Sequence, residues 1–227
     1  MSTILANRKR AHLNALMNKF PNTTIYEDFV RLEAEIKNNV SSYVFDPRTL
    51  ALKDRSFRVN QKGVSDNDLF VVTQVLIGLD SRTIAEQSAA VIQTYPNASH
   101  FAASTITTKH LEVFYNGTHS LKVGNYVFIN KDTNRKFRVV QQTQQTSATN
   151  YSQSSEGTDF YNNEPLAIFS GKADNTLSID LNLFAGINIE STVGTIENVV
   201  TFEFRGYTVY NAADRFEDIA KALGLAK

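Results

Sequence analysis

Residues Val199 to Tyr207 read VVTFEFRGY, and residues Val71 to Leu79 read VVTQVLIGL. Both open on Val-Val-Thr, and both place a glycine five positions after that threonine, at Gly78 and Gly206. The stretches lie 128 residues apart. Both are rich in the β-branched and aromatic side chains that suit a pleated, half-buried surface. Each is followed by an amphipathic helical pattern, in TIAEQSAAVIQTYP after the first and NAADRFEDIAKALGLAK after the second. The shared order of elements predicts two like halves, 22–100 and 101–227, each an antiparallel β-sandwich closed by a helix. Val71 is then equivalent to Val199, and Gly78 to Gly206.

The segments between them read the same way. SSYVFDP is a short strand that stops at Pro47. DLFVVTQVLIGLD is a continuous apolar run, as expected of a strand buried on both faces. In HLEVFYNGTHSLKVGNYVFIN, Asn116-Gly117 predicts a type I′ hairpin, and Gly124-Asn125 and Lys131–Asn134 predict further turns. NTLSIDLNLF alternates, with Leu177, Ile179, Leu181 and Leu183 on one face. Thr83 and Glu86 have capping-box spacing before a helix that stops at Pro96. The last helix carries Phe216, Ile219, Ala220 and Leu223 on one stripe. The fold class expected is all-β, mainly antiparallel, with a few short helices.

Composition bounds the function. The 227 residues carry 23 basic and 23 acidic side chains, a formal net charge of zero. That balance is unlike a general nucleic-acid binder. It lowers the repulsion that keeps copies of a chain apart. There is no cysteine, so disulfides, thiolate catalysis and Cys-based zinc sites are excluded, and the fold suits a reducing cytoplasm. The Asn-x-Ser/Thr matches follow from an Asn- and Thr-rich composition, since no signal-peptide pattern precedes them. No apolar run reaches the ~18 residues of a membrane span.

Signatures of catalysis are sparse. There is no G-x-S-x-G, P-loop, Rossmann fingerprint or H-E-x-x-H. His110 and His119 flank Asn116-Gly117 out of register and read as surface residues, with Glu112 too little to complete a metal site. Asp66/Asp68 and Asp159/Glu164 read as solvated loop acids. Lys131, Arg135, Lys136 and Arg138 stand near aromatics, but strand alternation buries Phe137 between Lys136 and Arg138, so no stacking platform for single strands is expected. No catalytic residue, cofactor ligand or metal ligand is assigned.

Two stretches remain. Residues 1–21 form a basic arm with Arg8, Lys9, Arg10 and Lys19, and a helical stripe of Leu13, Leu16, Met17 and Phe20. It reads equally as a helix docked on its own domain or as a segment that touches an anionic surface. Residues 141–164 are polar and low in complexity, the composition of an exposed surface or inter-subunit loop.

Two β-rich halves each ending in a helix, a basic N-terminal arm, no cysteine, no catalytic set and a polar loop together resemble the double jelly-roll major capsid proteins of icosahedral viruses with an internal membrane. The length is similar to the compact versions in small membrane-containing bacteriophages. The resemblance implies two barrels per chain and homotrimers forming pseudo-hexagonal capsomers. It also implies contacts with neighbouring capsomers, penton and minor capsid proteins, and no sequence-specific nucleic acid. Arg8, Lys9, Arg10 and Lys19 would face internal-membrane lipid or a neighbouring subunit. The implied location is the virion, after synthesis in the host cytoplasm. A single elaborated jelly roll, another virion component, a lectin-like module and a cupin-like enzyme are the alternatives.

Overall fold

The computed structural model describes residues 11, 13–15, 17–18, 21–48, 62–84, 92, 101, 108–138, 161–173, 175–180 and 189–222. Among them lie eight strands, two α-helices named below and the helical arm residues 11, 13–15 and 17–18. The strands are β1 (Ile25–Glu35), β2 (Ser42–Phe45), β3 (Leu69–Thr83), β4 (Thr118–Val123), β5 (Tyr126–Thr133), β6 (Tyr161–Ser170), β7 (Asn175–Asp180) and β8 (Ile196–Val209). The helices are α1 (Thr108–Tyr115) and α2 (Phe216–Ala222). Two four-stranded sheets form, in the orders β1-β8-β3-β6 and β2-β7-β4-β5.

The pairing is nested. β1 pairs β8, β2 pairs β7, β3 pairs β6 and β4 pairs β5, all antiparallel. A chain folded back at the β4–β5 turn and rolled up as one long ribbon gives this order, which is that of a jelly roll. The division expected at 100/101 is therefore corrected. Each sheet takes strands from both predicted halves, so the described strands form one sandwich.

The echoed stretches are adjacent partners. Val71 lies opposite Tyr207, Gly78 opposite Thr201, and Leu79 opposite Val200. The register slips between Val72 and Gln74, leaving Thr73 as a bulge whose Oγ1 donates to the Arg205 carbonyl at 3.0 Å. The resemblance of letters reflects two long central strands meeting the same requirement, burial on both faces. Residues 69 to 80 are buried throughout.

One core joins the sheets. Phe45 of β2 meets Phe202 of β8 edge-on at 5.3 Å, and Phe169 meets Phe204 at 4.9 Å. Val30, Leu32, Leu121, Val123 and Leu177 complete it from both sides. Alternation therefore reads β7 correctly at Leu177; Leu181 and Leu183 lie outside the described residues. α2 buries Phe216, Ile219 and Ala220 as its stripe predicts, with Phe216 edge-on to Tyr126 at 5.5 Å.

Register also sorts the connections. The chain enters β1 at the end that holds the β4–β5 turn, the β6–β7 turn and α2. The β1–β2, β3–β4, β5–β6 and β7–β8 connections leave from the opposite end. Leu13 of the arm is half-buried against the core, while Met17 is exposed. Residues 8–10 and 19, most of the expected 83–96 helix, and 141–160 of the expected 141–164 loop lie outside the described residues; Thr83 itself ends β3, and 161–164, Glu164 among them, belong to β6 and not to a loop.

Candidate functional site

The fold departs from expectation at two places around β4. Asn116-Gly117 is no hairpin. Thr108–Tyr115 is a helix, and Asn116 and Gly117 carry it into β4. The hairpin turn is Gly124-Asn125, with Val123 opposite Tyr126 and Gly124 at a φ of 54°. Gly117 is required by contact, because a Cβ there would stand 2.1 Å from the Asp180 carbonyl oxygen.

The second departure is His119, expected at the surface and found 2% exposed. Its Nδ1 lies 3.0 Å from Asn134 Oδ1. Asn134 is fully buried, donates from Nδ2 to the Phe114 carbonyl at 2.9 Å, and bonds its main-chain N–H to the Gly117 carbonyl at 3.0 Å. Burial pushes the imidazole down to about 4, with Lys136 adding to the effect. His110 is placed only as a residue of α1, with no geometry relating it to His119.

The basic residues near 135 do not make a stacking platform. Phe137 is buried against the His119 ring at 5.4 Å. Lys136 pairs with Asp132, and Arg138 grips Glu112 through Nε and Nη2 at 3.0 and 2.7 Å. Lys131 and Arg135 are exposed.

A pocket of about 70 Å³ opens at the end where the chain enters β1. Tyr26, Asp28, Val30, Phe70 and Thr208 line it from one sheet, and Lys62–Ser65 and Asp68 close it. Asp28 accepts from the Phe29 N–H at 2.8 Å, from Thr208 Oγ1 at 2.9 Å and from Lys62. Lys62 also lies over the Phe29 ring at 4.8 Å, and its main chain forms a bridge with Arg31. The carboxylate is thereby held as a clasp that fastens residues 62–64 to the edge of β1. A space of this size holds water and not an organic ligand, for which several hundred Å³ is typical.

Asp68, read from sequence as a solvated loop acid, is 5% exposed. It accepts the Asn211 N–H at 2.9 Å, and its carbonyl accepts the Gly171 N–H at 3.0 Å. It therefore ties three connections together; Asp66 is exposed as expected. Among the described residues no three His, Cys, Asp or Glu side chains group to hold a metal, and no helix is long and apolar enough to cross a membrane. Arg8, Lys9, Arg10 and Lys19 are not brought to any site, since they lie outside the described residues. No protein family, curated protein or solved structure matches this chain.

Proposed function

We propose that this chain is a virion structural protein, a capsid subunit built on a single jelly roll. The observation that carries the reading is the nested pairing of β1 with β8, β2 with β7, β3 with β6 and β4 with β5. That order is shared by capsid proteins, lectins and cupins, so the order alone does not choose among them. The interior favours a structural role over a cupin-like one. Cupin chemistry uses polar groups inside the barrel, whereas Phe45, Phe169, Phe202 and Phe204 fill this one with ring contacts. Edge strands of both sheets expose apolar groups at the surface, Phe29 on β1 and Val44 on β2, which further copies of the chain would cover.

On this reading the partners are further copies, first as homotrimers and then as neighbouring capsomers, together with penton and minor capsid proteins. The pseudo-hexagon drawn from three double barrels changes: one barrel per chain needs six chains for the same outline. The arm carrying Arg8, Lys9, Arg10 and Lys19 precedes the end where β1 begins, and lipid headgroups of an internal membrane are its proposed contact. The protein is made in the host cytoplasm and resides in the virion.

Light scattering after size exclusion, followed by electron microscopy of concentrated protein, tests this. A mass of three chains and the appearance of shells are expected. A strict monomer at high concentration, or a small closed oligomer that binds a glycan, overturns it. For the arm, replacing Arg8, Lys9 and Arg10 by Gln is expected to weaken binding to anionic vesicles in a salt-dependent way, each charge contributing about 1 kcal/mol.

A further inference from the structure

His119 and Asn134 sit where three segments meet, at the end of the sandwich from which the long connections leave. The Asn134 amide has its orientation fixed, because Nδ2 donates to the Phe114 carbonyl. Its Oδ1 can then only accept, so His119 Nδ1 carries the hydrogen. The other ring nitrogen, Nε2, is buried and has no hydrogen-bond partner among the described residues. It is the atom that a further proton must take.

The surroundings oppose that proton more than they support it. From β5 and the turn after it, the Asp132 carboxylate and main-chain carbonyl favour the charged ring and Lys136, paired with that carboxylate, opposes it, but burial is the largest effect. From α1, Glu112 is held by Arg138. From β7, the Asp180 side chain is held by Ser42 Oγ at 2.7 Å, and its main chain presses on Gly117. The ring edge lies against Phe137. A charge at Nε2 is therefore accommodated only if the junction opens.

We propose that the His119–Asn134 junction is an acid-sensitive latch. Protonation at Nε2 releases the turn Asn134–Phe137 and the last residues of α1 from β4, while the eight-stranded sandwich stays paired. The segments freed are those from which the β3–β4 and β5–β6 connections depart. The latch stands whether or not the chain builds shells.

The sign follows from linkage. A histidine whose folded value is lowered is protonated more readily in the open state, so closure is favoured above pH 6.5 and weakens as pH falls toward 4. With those two values, opening rises about 70-fold between pH 7.5 and 4.5.

Amide hydrogen exchange of the whole chain tests it, with protection factors corrected for the intrinsic pH dependence. The Asn116, Gly117 and Asn134 amides, which bond to Glu112, Phe114 and Gly117 carbonyls, are expected to lose about 70-fold in protection over that range. Amides of β3 and β8 should change several-fold less, and His119→Gln should flatten the local change. An equal loss everywhere, or a local loss that persists in His119→Gln, overturns the latch. If that variant fails to fold, the wild-type chain decides through the ring resonances of His119. A ring midpoint shared with Gly117 exchange supports the latch. Separate midpoints, or a ring that titrates near 6.5 with exchange unchanged, overturn it.

Discussion

Gly206 of β8 packs against the main-chain carbonyl of Val71 in β3, so closely that a Cβ would stand 1.9 Å from the oxygen. This contact lies beside the Thr73 bulge, in the middle of the sheet, with backbone on the opposing side. Neither strand can yield without breaking its ladder. Gly206→Ala is expected to destabilise by roughly 3 kcal/mol or more. Gly194 has open space around its Cβ position, so Gly194→Ala is expected to stay within about 0.5 kcal/mol of wild type. Urea midpoints of the two variants measure the difference, and similar midpoints would refute the close approach.

Asn134 satisfies two buried groups at once, the Phe114 carbonyl and the His119 N–H. Asn134→Ala leaves the His119 N–H without a partner and opens a small cavity, while the Phe114 carbonyl keeps the Gly117 N–H. A buried unsatisfied group costs about 1–3 kcal/mol, so a loss of roughly 2 kcal/mol is expected at pH 7. Chemical denaturation followed by circular dichroism reads it.

At the clasp on β1, the two partners are unequal. Lys62 has a side chain that is 43% exposed, while that of Asp28 is 12% exposed and also serves Thr208 and the Phe29 N–H. Lys62→Ala is expected to cost no more than about 1 kcal/mol, as exposed ion pairs do. Asp28→Ala should cost about 2 kcal/mol, because the buried Thr208 hydroxyl loses its acceptor along with the Phe29 N–H and Lys62. A double-mutant cycle checks the order, and a larger effect from Lys62 would reverse the assignment.

Lys131 holds a φ of 51° on β5, with its N–H bonded to Ser120 Oγ at 3.0 Å. A side chain with a Cβ is strained in that region. Lys131→Gly is expected to leave stability unchanged or raise it by up to about 1 kcal/mol, whereas Lys131→Val should lower it by about 1–2 kcal/mol. Thermal midpoints at matched pH and salt distinguish them.

The pattern of residues by itself determined some of the strands and the faces they bury. Leu69–Asp80 reads as a strand buried on both sides, and Phe216, Ile219 and Ala220 as the apolar stripe of a helix. Those readings rest on a continuous apolar run and on a period of 3.6, both visible within a few residues. Which strand lies beside which is decided by contacts distant in sequence. The echo at Val71 and Val199 looked like a repeat because both strands meet the same local demand; the register shows them as neighbours, Gly78 against Thr201. Asn116-Gly117 carries a turn signal, yet the burial of Val113, Phe114 and Tyr115 draws the preceding residues into a helix. The fate of a polar side chain is likewise tertiary. His119 and Asp68 resemble exposed residues in sequence and become buried hubs, because their partners Asn134 and Asn211 arrive from 15 and 143 residues away.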